Sequence, residues 1–132
     1  MKDLADKTVI ITGADGLIGK EIARQFADHG SKTVCADIAF QTSVIDDRTA
    51  SFHLDLTDTK SIDALIGFTL EKFGRIDGLV NAAYPHTKDW GRYKFEDTPF
   101  EHWEENVRMQ LNPVFYIDRE AAKVMERQKS GS

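Results

Sequence analysis

Thr12-Gly13-Ala14-Asp15-Gly16-Leu17-Ile18-Gly19 is the stretch on which the reading of this chain turns. Ahead of it runs Thr8-Val9-Ile10-Ile11, a β-branched run that suits a strand covered on both faces of a parallel sheet. Behind it Ile18, Ile22 and Phe26 recur every four residues, with Ala23 and Ala27 beside them. Glu21, Arg24, Gln25 and Asp28 take the opposite side. The spacing predicts a helix that ends near His29-Gly30, where glycine supplies a left-handed cap. A second strand, Thr33-Val34-Cys35-Ala36, follows and ends in Asp37.

Strand, glycine loop, helix, strand and acid form a unit with a mechanism. A helix N-terminus leaves several N–H groups unpaired and carries partial positive charge. A diphosphate satisfies both if the backbone comes close, and glycines at 13, 16 and 19 permit that approach and the tight turn. Asp37 lies eighteen residues after Gly19. At a strand end its carboxylate would accept hydrogen bonds from an adenosine ribose and repel a 2′-phosphate. Ile38 beside it offers no basic partner for a phosphate, so the reading is NAD before NADP. Glycines punctuate many loops, so the trio alone would also suit an ordinary βα turn, and Asp37 alone a solvated strand end.

Composition bounds what surrounds this unit. A length of 132 residues leaves room for one domain, spanning 1–132. Apolar residues make up 41% and charged residues 30%, a globular balance that fits neither disorder nor a membrane protein. A net charge of −5 gives no electrostatic footprint for nucleic acid or anionic lipid. The lone Cys35 excludes an internal disulfide and fits a reducing cytoplasm, as a small filler of a buried strand rather than a nucleophile. Charges at Lys2, Asp3, Asp6 and Lys7 stand where a signal peptide needs apolar residues. No window approaches the roughly 18 apolar residues of a membrane span. His29, His53, His86 and His102 share no metal-ligand spacing.

Further along, Ile62, Leu65, Ile66, Thr69, Leu70 and Phe73 share one face of a helix over 59–73, which Thr57 or Asp58 caps and Gly74 ends. Alternating strands and helices predict a doubly wound parallel sheet in the order 3-2-1-4, with Gly13–Gly19 and Asn81–Ala83 facing one crevice. Residues 84–99 form an aromatic-rich loop; Tyr84, Trp90, Tyr93 and Phe95 suit a substrate pocket, a cover for the sheet end or an oligomer contact. A last helix opens with Thr98 as cap, Pro99 as first helical residue and Glu101 completing a capping box. Its expected buried stripe is Trp103, Val107, Leu111, Val114, Ala121 and Met125, and Pro113 should kink it.

These motifs together resemble the short-chain dehydrogenase/reductase family. Its members carry TGxxxGxG, or TGxxGxxG in a branch acting on sugar nucleotides, and Thr12–Gly19 matches the second spacing. Phe52-His53-Leu54-Asp55-Leu56-Thr57-Asp58 looks like the family's third strand with its adenine-contacting Asp, and Asn81-Ala82-Ala83-Tyr84 stands where the family has NNAG. Gln110-Leu111-Asn112-Pro113-Val114-Phe115 is similar to the N-L-x-G-x-F helix. The resemblance implies cofactor contacts from Gly13, Asp15, Gly16, Leu17, Ile18 and Gly19, from Asp37 and Ile38, from Asp55 and Leu56, and from Asn81, Ala82 and Ala83. Two positions depart from it. Gln110 stands where the family uses a catalytic Asn, and Tyr84 replaces the last glycine of NNAG, changing how the backbone turns toward the nicotinamide.

The resemblance implies an NAD-dependent oxidoreductase that moves hydride between nicotinamide and an alcohol or carbonyl substrate, with a sugar-derived one preferred. It also implies self-association of the complete protein. The family's Ser, Tyr and Lys follow the helix that ends near Gln128, so this chain is expected to be inactive alone, a fragment or one partner of a pair, with Leu79-Val80 as an apolar sheet edge. Tyr84 and Lys88 have YxxxK spacing, but Pro85 disfavours a helix there. The competing expectation is a non-catalytic dinucleotide-binding or regulatory module.

Overall fold

The computed structural model describes residues 4–132. Its elements are β1 (Thr8–Thr12), α1 (Leu17–Asp28), β2 (Lys32–Asp37), β3 (Ser43–Val44), β4 (Thr49–His53), α2 (Thr59–Phe73), β5 (Gly78–Asn81) and α3 (Phe100–Gln128), with one 3-10 turn at Phe95–Asp97. The sheet order is β3-β4-β2-β1-β5. The four longer strands are parallel and stand in the expected doubly wound order. The sequence reading lacked β3, a two-residue strand antiparallel to β4 whose side chains are exposed. It is too short to show alternation, and the chain reaches it through the Asp37–Phe40 turn.

Both sheet faces are covered, as continuous β-branched strands require. All five residues of β1 are buried. Val9 and Ile11 face α1, where Ile22, Ala23 and Phe26 pack. Ile10 points the other way, to Ile62, Leu65 and Ile66 of α2 and Ile117, Ala121 and Val124 of α3. Each fully buried isoleucine or leucine among them gains about 2 kcal/mol on leaving water. Ile18 does not join its expected stripe: it is 72% exposed, at the free end of α1.

The ends of α2 are the expected ones. The Asp58 carboxylate accepts from Lys60 N–H at 2.9 Å, and Gly74 closes the helix at φ 76°. Two other expectations are corrected. The strand expected to carry Asp55, β4, ends at His53, so Leu54, Asp55 and Leu56 lie beyond it, in the loop leading to α2. No capping box opens α3. Pro99 is the cap, Phe100 the first helical residue, and the Thr98 hydroxyl donates back to the Lys94 carbonyl at 2.8 Å.

The buried stripe of α3 is also rotated from the expected one. It consists of Asn106, Pro113, Ile117, Ala121 and Val124. Trp103 and Leu111 are 53% and 62% exposed. The apolar residues of this helix occupy more than one face, so hydropathy alone did not select the face that meets the sheet. The helix runs without interruption through Pro113.

At the outer edge of β5, Leu79 and Val80 are half-buried. Ser132 N–H donates to Asp77 O, and Leu79 N–H donates to Ser132 O, both at 3.0 Å. Among the described residues no helix is long and apolar enough to cross a membrane.

Candidate cofactor site

The carboxyl ends of β1, β2, β4 and β5 meet at a cavity of about 520 Å³. Gly13, Gly16, Asp37, Ile38, Asp55, Leu56, Ala82 and Ala83, eight of the residues singled out in the sequence, line it. Ala36, Leu54, Thr57, Tyr84, Pro85, His86 and Met109 complete the wall.

The glycine loop is packed where a side chain could not fit. Gly13 has φ +66°, and a Cβ there would sit 2.6 Å from Ala83 Cα and N. A Cβ on Gly19 would fall 2.0 Å from the Gly13 carbonyl oxygen. The first contact brings the β1 loop against the end of β5; the second seats α1 under the loop. Thr12 Oγ1 completes the junction, accepting from Ala83 N–H and donating to Val80 O at 3.4 Å each. No side chain caps α1, whose cap residue is Gly16, so the first-turn N–H groups have no side-chain acceptor.

Asp37 is held rather than free. Its Oδ2 accepts from Asp15 N–H and its Oδ1 from Ala39 N–H, both at 3.0 Å. Each oxygen keeps a second lone pair for a hydroxyl donor. Asp15 therefore acts through its backbone, while its carboxylate pairs with Lys20 Nζ at 2.8 Å. The Asp55 Oδ1 atom accepts from the Thr57 N–H and hydroxyl at 2.9 and 2.6 Å, which turns the chain toward α2.

Other expected site residues are placed differently. Leu17 and Ile18 are exposed at the start of α1, and Gly19 is buried beneath the loop; none of the three borders the cavity. The Asn81 amide is turned outward, donating to Asp118 Oδ1 of α3 at 2.7 Å, and does not line the cavity. Gln110 is half-buried; its Nε2 is enclosed without a hydrogen-bond partner, and its neighbour Met109 is the α3 residue in the wall. The Tyr84–Lys88 segment is not helical, so the two side chains do not share a helix face. Burial pushes the Cys35 thiol pKa up against a weaker opposing hydrogen bond with Thr33, which disfavours the thiolate.

Ala36, Leu54, Thr57, Pro85, His86 and Met109 were not among the residues that the sequence reading put at the site. Thr57 carried a signal, an Asp-x-Thr turn just after a strand. Met109 carried none, because only the docking of α3 on the sheet brings it to the wall.

Residues 7–132 match the family model described as short chain dehydrogenase. Post-translational flagellin modification protein A of Campylobacter coli is 28% identical over 98% of this chain and 54% of its own length. Thermoplasma acidophilum aldohexose dehydrogenase, solved ligand-free, superposes with TM-score 0.77 at 29% identity, over 96% of this chain and 47% of its own. A 3-ketoacyl-(acyl-carrier-protein) reductase of Brucella melitensis, solved with NADH, gives TM-score 0.79 at 26% identity, over 95% and 52%. The chain thus spans about half the length of the first curated relatives it matches. With the glycine cradle, the doubly wound strand order and a model match over nearly every residue, the chain belongs to the short-chain dehydrogenase family.

Proposed function

We propose that residues 1–132 form one NAD-binding domain, the cofactor-holding part of an oxidoreductase acting on an alcohol or carbonyl substrate. The observation that carries this reading is the cradle at Gly13 and Gly19, where backbone fills the space a Cβ would need beside an uncapped helix start. Gly13, Gly16, Ala82 and Ala83 would hold the diphosphate and nearby ribose, Asp37 the adenosine ribose, and Asp55 and Leu56 the adenine. Bound there, nicotinamide supplies a hydride acceptor or donor; these residues bind and orient.

Asp37 supports NAD over NADP by repelling a 2′-phosphate. The nearby cations are engaged elsewhere, Lys20 with Asp15 and Arg24 with Glu21 and Asp28. A sugar-derived substrate is supported by the glycine spacing, the aromatic wall at Tyr84 and the likeness to an aldohexose dehydrogenase. The family's Ser and helical Tyr–Lys pair have no counterpart in this chain, so it binds without turnover on its own. Self-association of the complete protein, through α3 and the helix expected to follow it, is supported by Phe100, Trp103, Leu111 and Phe115, each more than half exposed. We place the complete protein in the cytoplasm, a reading that the single free cysteine supports.

A second reading, a nucleotide-sensing module without chemistry, is favoured by Gln110, whose enclosed amide nitrogen has no partner where the family has its catalytic Asn. Hydride transfer by the complete protein excludes it.

Calorimetry tests the first reading. The chain should release heat with NADH and bind NADPH more weakly. Asp37→Ala should narrow that preference by about tenfold, equivalent to roughly 1.4 kcal/mol. An unchanged preference would remove Asp37 from the assignment; no heat with any adenine dinucleotide would end it.

A further inference from the structure

We infer that Asn106 is the positioning residue for the nicotinamide-side wall of the cavity, acting through a clamp on Thr87. The inference rests on the dinucleotide reading above. Asn106 is a polar side chain only 1% exposed, at the N-terminal end of the buried face of α3, whose other members, Pro113, Ile117, Ala121 and Val124, are apolar. Burying a carboxamide costs several kcal/mol unless it is hydrogen-bonded. Here the cost is offset: Oδ1 accepts from Thr87 N–H at 3.0 Å, and Nδ2 donates to Thr87 Oγ1 at 3.1 Å and to the His102 carbonyl at 2.9 Å. A leucine would suit the core side of α3 better. What the carboxamide adds is a grip on a loop that has no ladder of its own.

That loop carries the wall. Sheet order places the ends of β2 and β5 on opposite sides of β1. Asp37, the last residue of β2, takes the adenosine side, so Tyr84, Pro85 and His86, after β5, lie on the nicotinamide side. Thr87 is the next residue. Beyond it the loop folds back through aromatic contacts: Trp90 is 5.8 Å from Tyr84 edge-on and 6.4 Å from His102 stacked, and Tyr93 meets His102 at 5.2 Å. Asp89 Oδ1 lies 3.6 Å from His102 Nδ1. The loop is thus fixed to α3 at Thr87 and at His102, and the segment between β5 and the first anchor is the one exposed to the cavity. The Tyr84 ring, 55% exposed, offers a flat apolar face to a ring-shaped substrate, such as a pyranose, docking beside the nicotinamide.

The test uses the whole chain, with NADH and ADP-ribose as probes, since ADP-ribose lacks the nicotinamide. Asn106→Leu should keep the far-ultraviolet dichroism, alter the near-ultraviolet signature of the Tyr84–Trp90–His102 stack, and weaken NADH at least fivefold. ADP-ribose should change less than twofold. Thr87→Val, which removes only the hydroxyl, should shift both readouts in the same direction by a smaller amount, and it serves if Asn106→Leu does not fold. Thr87→Ser should restore the wild-type signature and affinity. Unchanged NADH affinity in both disruptive variants, or equal loss of both ligands, overturns the clamp as a positioning device. Wild-type protein that binds neither ligand overturns the dinucleotide reading and this one with it; binding of ADP-ribose with no added affinity for NADH overturns only this one.

Discussion

Two glycines in helical surroundings have opposite meanings, and the contrast shows what the site demands of single residues. Gly19 sits in the first turn of α1 with the Gly13 carbonyl 2.0 Å from where its Cβ would be. Backbone cannot yield as a flexible side chain does, so Gly19→Ala should cost about 3 kcal/mol or more by overpacking and should open the diphosphate loop. Gly67 lies within α2 with nothing within 4 Å of its Cβ position. Gly67→Ala should stabilise by about 1 kcal/mol through helix propensity alone. Urea unfolding of the two variants checks both signs; equal effects would mean that the packing at Gly19 is looser than described. Sequence showed both glycines but not this difference. The loop motif singled out Gly19 because strand, helix and acid surround it, yet placed Leu17 and Ile18 with it as cofactor contacts, and neither borders the cavity.

At the scale of elements, legibility followed how completely local pattern and tertiary contact agree. For α2 they agree at both caps and along one apolar face, so its bounds were read correctly. In α3 they conflict: large apolar side chains lie on the outer side, and the buried side includes Asn106 and Pro113, so the stripe was misplaced. The edge strand β3 has only two residues, and no periodicity exists in two residues. The junction of β1 and β5 was equally silent, because it depends on a charge rather than a pattern. Asp77 accepts from Thr8 N–H at 2.9 Å and is bound by Arg75 at 2.6 and 2.7 Å, with its side chain only 6% exposed. Burial pushes its carboxyl pKa up, but the Arg75 and Thr8 hydrogen bonds, with the charges of Arg75 and Lys7, outweigh that and hold it below the usual carboxylate value. A depressed folded pKa means that this stability is present above the unfolded value, about 3.9, and is lost as pH falls below it. Asp77→Asn should therefore cost about 2 kcal/mol at neutral pH and flatten the acid limb of the stability profile below about pH 4. An acid limb as steep as that of the wild type would show that other carboxylates control it.

On the scale of the whole molecule, the cavity draws its walls from the ends of four strands and from α3, elements that touch one another chiefly through the sheet. A ligand filling it would contact the β1 loop, Asp37 at the end of β2, Leu54 and Asp55 after β4, and Ala82 and Ala83 after β5. Most of these contacts exist only when the strands are assembled, so a dinucleotide that binds there binds the folded state and not the unfolded chain. Mass action then stabilises the fold by about 2.7 kcal/mol at a ligand concentration one hundred times Kd. For a chain of this length that corresponds to a rise in Tm of roughly 10 °C. NADH should produce that rise, and Asp37→Ala should reduce it in proportion to its loss of affinity, since the ribose contact goes together with the hydrogen bonds to Asp15 and Ala39, while the packing of Gly13 on Ala83 remains. Gly67→Ala, remote from the cavity, should raise the baseline Tm and leave the NADH increment intact. Scanning calorimetry of the three proteins with and without NADH separates these terms. If Asp37→Ala keeps the full increment, the dinucleotide is held without its ribose contact; if the increment is absent from the wild type, the crevice does not hold NADH at all.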